Sequence, residues 1–246
     1  MRKSGPTDLE AATGFLNIRS RHGGEFACYL AAPAIGGPVP AVVLASAVHG
    51  VDADLRAIAD DFAAHGFIAA APDLFWRSIP GPLSRDDERT AQRSRPRLEK
   101  IRIGESDMAD TLAYLGTLPN FNGRAAAMGF CYGGPYAILG PKRLGYAAGI
   151  SCHGSQMLDY IAELDGVGAP VCILWGDRDH QAPAPVLEAY RALASRRKNV
   201  EVHVFPGVLH GYMMPGAQAF HPATRELSMQ RARAILDGLK GAPPRG

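Results

Sequence analysis

The 246-residue chain is short of several things that would have pointed elsewhere. It has four cysteines, Cys28, Cys131, Cys152 and Cys172, with neither the paired spacing of a zinc site nor the even framework of a disulfide-stapled domain. Charge of one sign is missing too: the formal net charge of +2 is close to neutral and argues against a nucleic-acid or anionic-membrane partner. No apolar run approaches the roughly 18 residues of a membrane span, and Met1 to Pro6 leads into no apolar stretch of the signal-peptide kind. The expectation is a soluble, cytoplasmic protein. There is no Walker sequence, and Gly129 to Gly134 lacks the G-x-G-x-x-G spacing of a dinucleotide loop. Neither a metal nor an organic cofactor is expected.

Apolar residues make up 47%, an ordinary globular share. Their pattern alternates between short buried-type runs and helical periodicity. Strands are expected at Phe26–Ala32, Ala41–Ala45, Phe67–Ala71, Ala125–Met128, Tyr146–Cys152, Val171–Trp175 and Val200–Phe205. Helices are expected at Asp54–His65, Ile103–Leu118, Pro185–Ser195 and Pro222–Leu239. A polar excursion runs from about Phe75 to Arg97. This alternation implies an α/β fold with a mostly parallel, doubly wound sheet. No repeat or linker divides the chain, so residues 1–246 are expected to form a single domain with its core at about 26–239.

The chemistry concentrates at Gly129-Phe130-Cys131-Tyr132-Gly133-Gly134, directly after one of the buried strands. Glycines two before and two after a nucleophile permit a sharp strand-to-helix turn that exposes a strained side chain. A helix starting behind the sulfur would favour the thiolate. Acid and base candidates follow in order. Asp177 and Asp179 lie past the strand ending at Trp175, and His210 lies past the strand ending at Phe205. Nucleophile, acid, histidine is the chain order of the α/β-hydrolase triad. Asp177 follows a glycine and also suits a turn-capping role, which leaves Asp179 as the preferred orienting acid.

These residues, together with Ala71-Pro72-Asp73-Leu74-Phe75, Gly50-Val51-Asp52, Asp179-His180 and Gly207-Val208-Leu209-His210, resemble the dienelactone hydrolase (carboxymethylenebutenolidase) family. The resemblance covers about Phe26 to Leu239 and implies an α/β-hydrolase fold. It implies Cys131 as nucleophile, Asp179 as orienting acid and His210 as base, with the backbone N–H groups of Val48 and Tyr132 as oxyanion hole. The expected activity is hydrolysis of a small-molecule ester, lactone or thioester through an acyl-enzyme. The alternative is a catalytically degenerate binding or regulatory protein on the same scaffold.

Three positions depart from the family pattern. The glutamate that meets the resting thiol is replaced by Ala47. One of two carboxylate-binding arginines falls near Ala91, flanked by Arg89 and Arg93, and the other falls on Met214. Arg89, Arg93 and Met214, at or beside these positions, are further substrate-contact candidates, as are His49 and His153, which follow strand ends, and Trp76, a candidate for lining an apolar pocket; the remaining histidines, His180 among them, read as surface or structural.

Overall fold

The computed structural model describes residues 13–34, 37–181 and 184–241. These residues build one eight-stranded sheet. The strands are β1 (Gly14–Arg19), β2 (Glu25–Ala31), β3 (Val39–Ala45), β4 (Ile68–Pro72), β5 (Phe121–Phe130), β6 (Ala148–Cys152), β7 (Val171–Gly176) and β8 (Val200–Phe205). The helices are α1 (Ala53–Ala64), α2 (Arg89–Arg93), α3 (Arg97–Leu115), α4 (Tyr136–Arg143), α5 (Leu158–Ile161), α6 (Ala184–Arg196) and α7 (Pro222–Asp237).

The strand order is β1-β2-β4-β3-β5-β6-β7-β8. The hairpin β1–β2 and the β2–β4 pair are antiparallel, and every pairing from β4 through β8 is parallel. The expected parallel sheet thus carries an antiparallel edge. Strand β1 escapes hydrophobic reading because only Ile18 of its six residues is buried, while Phe15 stays 57% exposed.

Neighbouring residues of the central strands point to opposite faces, and each face is covered. On β3, Val43 belongs to a core under α3, α4 and α6 that includes Tyr136, Ile138 and Trp175, whereas Val42 and Leu44 belong to a second core under α1 and α7. Burial on both sides explains the unbroken apolar runs. Helix α1 shows how locally the sequence dictates this arrangement. Leu55, Ile58, Ala59 and Phe62 are buried at helical spacing, and the Asp52 side chain caps the start by accepting from Leu55 N at 2.9 Å.

The register aligns the strand ends that matter. Ala45 pairs with Gly129, Phe130 with Cys152, Cys152 with Leu174, and Gly176 with Phe205. The segments just past these ends hold Val48, Cys131, His153, Asp179 and His210, so five loops converge at one edge of the sheet. That edge is where parallel α/β sheets build their sites.

Candidate active site

Strand β5 ends at Phe130, and the chain reverses through a 3-10 turn, Cys131–Gly133, before α4. Cys131 has φ +49, the left-handed conformation that costs an L-residue strain and here turns the sulfur out of the strand direction. The flanking glycines are sterically required. A Cβ on Gly129 would lie 2.0 Å from Gly133 O, and one on Gly133 would lie 2.2 Å from Ala45 O. The turn is pressed against its own strand and against β3, so any larger residue would force the elbow open.

His210 sits between two partners. Its Nδ1 lies 2.9 and 2.8 Å from the two carboxylate oxygens of Asp179, whose side chain is wholly buried. Asp179 Oδ1 also accepts from Gln181 N at 2.8 Å. With Nδ1 donating to the carboxylate, Nε2 is the nitrogen left for the thiol. Nε2 is buried and has no hydrogen bond of ordinary geometry among the described residues, yet it lies close enough to Cys131 for each group to displace the other's titration. Asp177 is engaged elsewhere and accepts from Gly207 N at 2.7 Å across the β7–β8 loops.

The electrostatics favour a charged pair. Burial alone would push the Cys131 thiol up, but His210, the Ser155 hydroxyl and the Arg97 cation together hold it below its ordinary value. Burial works against the His210 imidazolium, and the Asp179 carboxylate and the Cys131 sulfur overcome it, raising the group from 6.5 to about 10. A helix dipole contributes less than the sequence suggested, because the residues behind the sulfur form a tight 3-10 turn before α4 begins.

Several residues that sequence reasoning did not single out complete the surroundings. Ser155 Oγ is 3.9 Å from Cys131 Sγ, and its amide donates to Cys131 O at 2.9 Å. Arg97 Nη2 donates to Tyr132 O and Ser155 O, both at 2.9 Å, with its guanidinium 4.6 Å over the Tyr132 ring. The exposed ring of His180 packs on His210 at 5.6 Å between centroids. Ser155 follows a strand end and was open to that argument; nothing local in the sequence marks Arg97.

The candidate substrate contacts separate clearly. His153 is buried at 1% exposure, with its ring edge-to-face against His210 at 4.9 Å and both ring nitrogens without a hydrogen-bond partner among the described residues. Burial, and then the charge on His210, push it well below the ordinary histidine range and keep it neutral. His49 is half-buried beside Arg85 and is also pushed down, chiefly by burial.

The other four have partners of their own. Arg93 is fully buried: it donates to Val48 O at 3.1 Å, to Ile79 O and to Gly81 O, and stacks on Phe75 at 4.7 Å. Arg89 is exposed and closes on Asp87 of its own loop. Trp76 donates to Asp107 at 3.1 Å and packs against Phe26 and Gly24, at the border of the core under α3. Met214 is 4% exposed within the core on the α7 side.

A cavity of about 680 Å³ adjoins the site, lined in part by Arg97, Gln156 and Gln181. Among the described residues, one other group has metal-ligand donors close together: Cys172, Glu201 and His203, within 4.8 Å of one another. It lies on the β7–β8 strands away from the cleft. Glu201 is already held by Arg231, and burial pushes the Cys172 thiol up to about 12. No helix of the described residues is long and apolar enough to cross a membrane.

A strand-turn-helix elbow, an acid past β7 and a histidine past β8 at the edge of a doubly wound sheet define an α/β-hydrolase fold. The profile of the dienelactone hydrolase family matches residues 26–238, and the chain belongs to that family. It is a hydrolase of the ester or lactone type. Carboxymethylenebutenolidase of a Pseudomonas species is 35% identical over 233 residues, covering 92% of this chain and 95% of its own. Carboxymethylenebutenolidase 1 of Cupriavidus pinatubonensis is 26% identical over 229 residues, covering 92% and 97%. Among solved structures, the esterase Pf2001 of Pyrococcus furiosus superposes with a TM-score of 0.69 at 16% identity, covering 96% of each chain. This likeness supports the fold.

Proposed function

We propose that the protein hydrolyses a small-molecule ester or lactone with Cys131 as nucleophile, through a covalent acyl-thioenzyme. The observation that carries this reading is the placement of one imidazole, that of His210, between the Asp179 carboxylate and the sulfur on a strained elbow. The thiolate attacks the carbonyl carbon, a C–S bond forms, and the carbonyl π electrons move onto oxygen. The backbone N–H groups of Val48 and Tyr132 receive that oxyanion; each sits three residues past a member of the Ala45–Gly129 register pair.

As the tetrahedral species collapses, the C–O bond breaks and the His210 imidazolium passes its proton to the departing alkoxide. Neutral His210 then takes a proton from water, hydroxide adds to the thioester carbonyl, and the acid leaves as the thiolate is expelled. The imidazolium is thereby regenerated and the cycle closes.

The groups bearing on the resting thiol, namely His210, Ser155 and Arg97, all favour the thiolate. With Ala47 in place of a carboxylate, the nucleophile rests charged and ready. The test is turnover of p-nitrophenyl acetate by the wild type, by Cys131→Ala and by iodoacetamide-treated protein. A burst followed by sustained release, absent from both altered proteins, is expected. Sustained turnover by Cys131→Ala would refute the assignment, and a stoichiometric burst alone would point to a binding protein on this scaffold.

A further inference from the structure

We infer that the cavity beside Cys131 is a subsite for an uncharged hydrocarbon arm of the substrate, so that the enzyme prefers neutral esters or lactones several carbons long over those carrying a second carboxylate. This rests on the nucleophile and base assigned above. The polar walls of the cavity are tied by a hydrogen bond, or by one step of chain, to the reacting groups. Arg97 holds the carbonyls of Tyr132 and Ser155, Gln156 follows Ser155, and the Gln181 amide donates to Asp179. The cavity's volume of about 680 Å³ is of the size that encloses a small organic ligand.

The walls settle what kind of arm fits. Leu98 and Leu158 are large apolar side chains left 62% and 49% exposed at the rim, and Val186 forms a buried part of the lining. Covering such surface rewards hydrocarbon. The charges of the lining offset each other. Arg97 gives Nη2 to two carbonyls and its face to Tyr132, and Asp159 lines the same cavity with the opposite sign. Within the 75–97 excursion, Arg77, Arg85, Arg89 and Arg93 are engaged with Asp107, Asp54, Asp87 and three backbone carbonyls respectively.

The experiment measures kcat/KM of the full-length protein for p-nitrophenyl acetate, butyrate and hexanoate and for mono-p-nitrophenyl glutarate, with ethyl, butyl and hexyl acetate as a second series. A rise of roughly two- to fourfold per methylene is expected in one series, which identifies the arm as acyl or alcohol. The glutarate is expected at least about tenfold below the hexanoate, and Leu98→Trp and Leu158→Trp should flatten the responsive series by filling the cavity, cutting the longest substrate about tenfold while the shortest stays within about twofold. Both positions are open enough to accept tryptophan without disturbing the core, and far-UV circular dichroism verifies this.

Flat dependence in both series, preference for the glutarate, or tryptophan variants that slow all substrates alike would overturn the subsite. Turnover surviving in Cys131→Ala would instead overturn the nucleophile assignment and leave the chain-length result standing.

Discussion

Replacing Asp179 by asparagine tests the electrostatic core of the site most directly. The carboxylate is fully buried, touches His210 Nδ1 through both oxygens, and has no other charged partner among the described residues to absorb its loss. The imidazolium is held at about 10 against an ordinary 6.5. At roughly 1.4 kcal/mol per unit this is about 5 kcal/mol of differential stabilisation, shared between Asp179 and the Cys131 sulfur.

In wild type the thiolate–imidazolium pair is therefore expected to persist from the depressed thiol titration up to about pH 10. The Asp179→Asn substitution removes the larger partner of the imidazolium. His210 then titrates near or below neutrality, burial reasserts itself at Cys131, and the thiol titrates above its ordinary value. The assay is the rate of iodoacetamide alkylation from pH 5 to 11. Wild type should be fast at pH 7.5, whereas Asp179→Asn should be slower there by about 10- to 100-fold, with its inflection displaced upward. Esterase turnover should fall by up to about 10⁴-fold, as when the carboxylate of a serine triad is amidated. Asp177→Asn, whose partner is the Gly207 amide, should leave the alkylation profile in place. Superimposable profiles for Asp179→Asn and wild type would refute the reasoning.

The same linkage sets how stability depends on pH. A histidine raised on folding contributes stability that is complete below its unfolded value of 6.5 and is lost as pH rises through about 10. Arg93→Met should lower kcat by about tenfold or more with KM within about threefold, because the Val48 peptide, the proposed oxyanion donor, loses its anchor; unchanged kcat in a folded variant would refute that role. Asp107 is a different case. Burial raises its carboxyl despite Arg77 and Trp76, so its ionised form costs stability above the folded value, a cost relieved as pH falls through it. Asp107→Asn should hold or raise Tm at pH 8, while Arg77→Met, which strands the charge, should lose about 3 kcal/mol; the reverse order would contradict the desolvation argument.

Features encoded within a few residues of chain were legible before folding. The glycines around Cys131 announce an elbow because only a missing Cβ tolerates contacts as close as 2.0 and 2.2 Å. Asp179 and His210 were legible because each follows a buried apolar strand, and parallel strands deliver their C-terminal ends to one edge. Helix α1 and strands β3 and β5 declared themselves through their apolar periodicity.

The use of side chains whose partners lie far away in sequence emerged with the folded chain. Arg93 and Arg89 look equivalent in the excursion, yet one is entombed against Val48, 45 residues away, and the other stays in water. Arg97 reaches the site by packing that no local pattern records, and β1 is visible only through its hairpin partner. Composition and periodicity fix which way a segment faces, whereas the role of a long polar side chain depends on which carbonyl or carboxylate the folded chain carries to its tip.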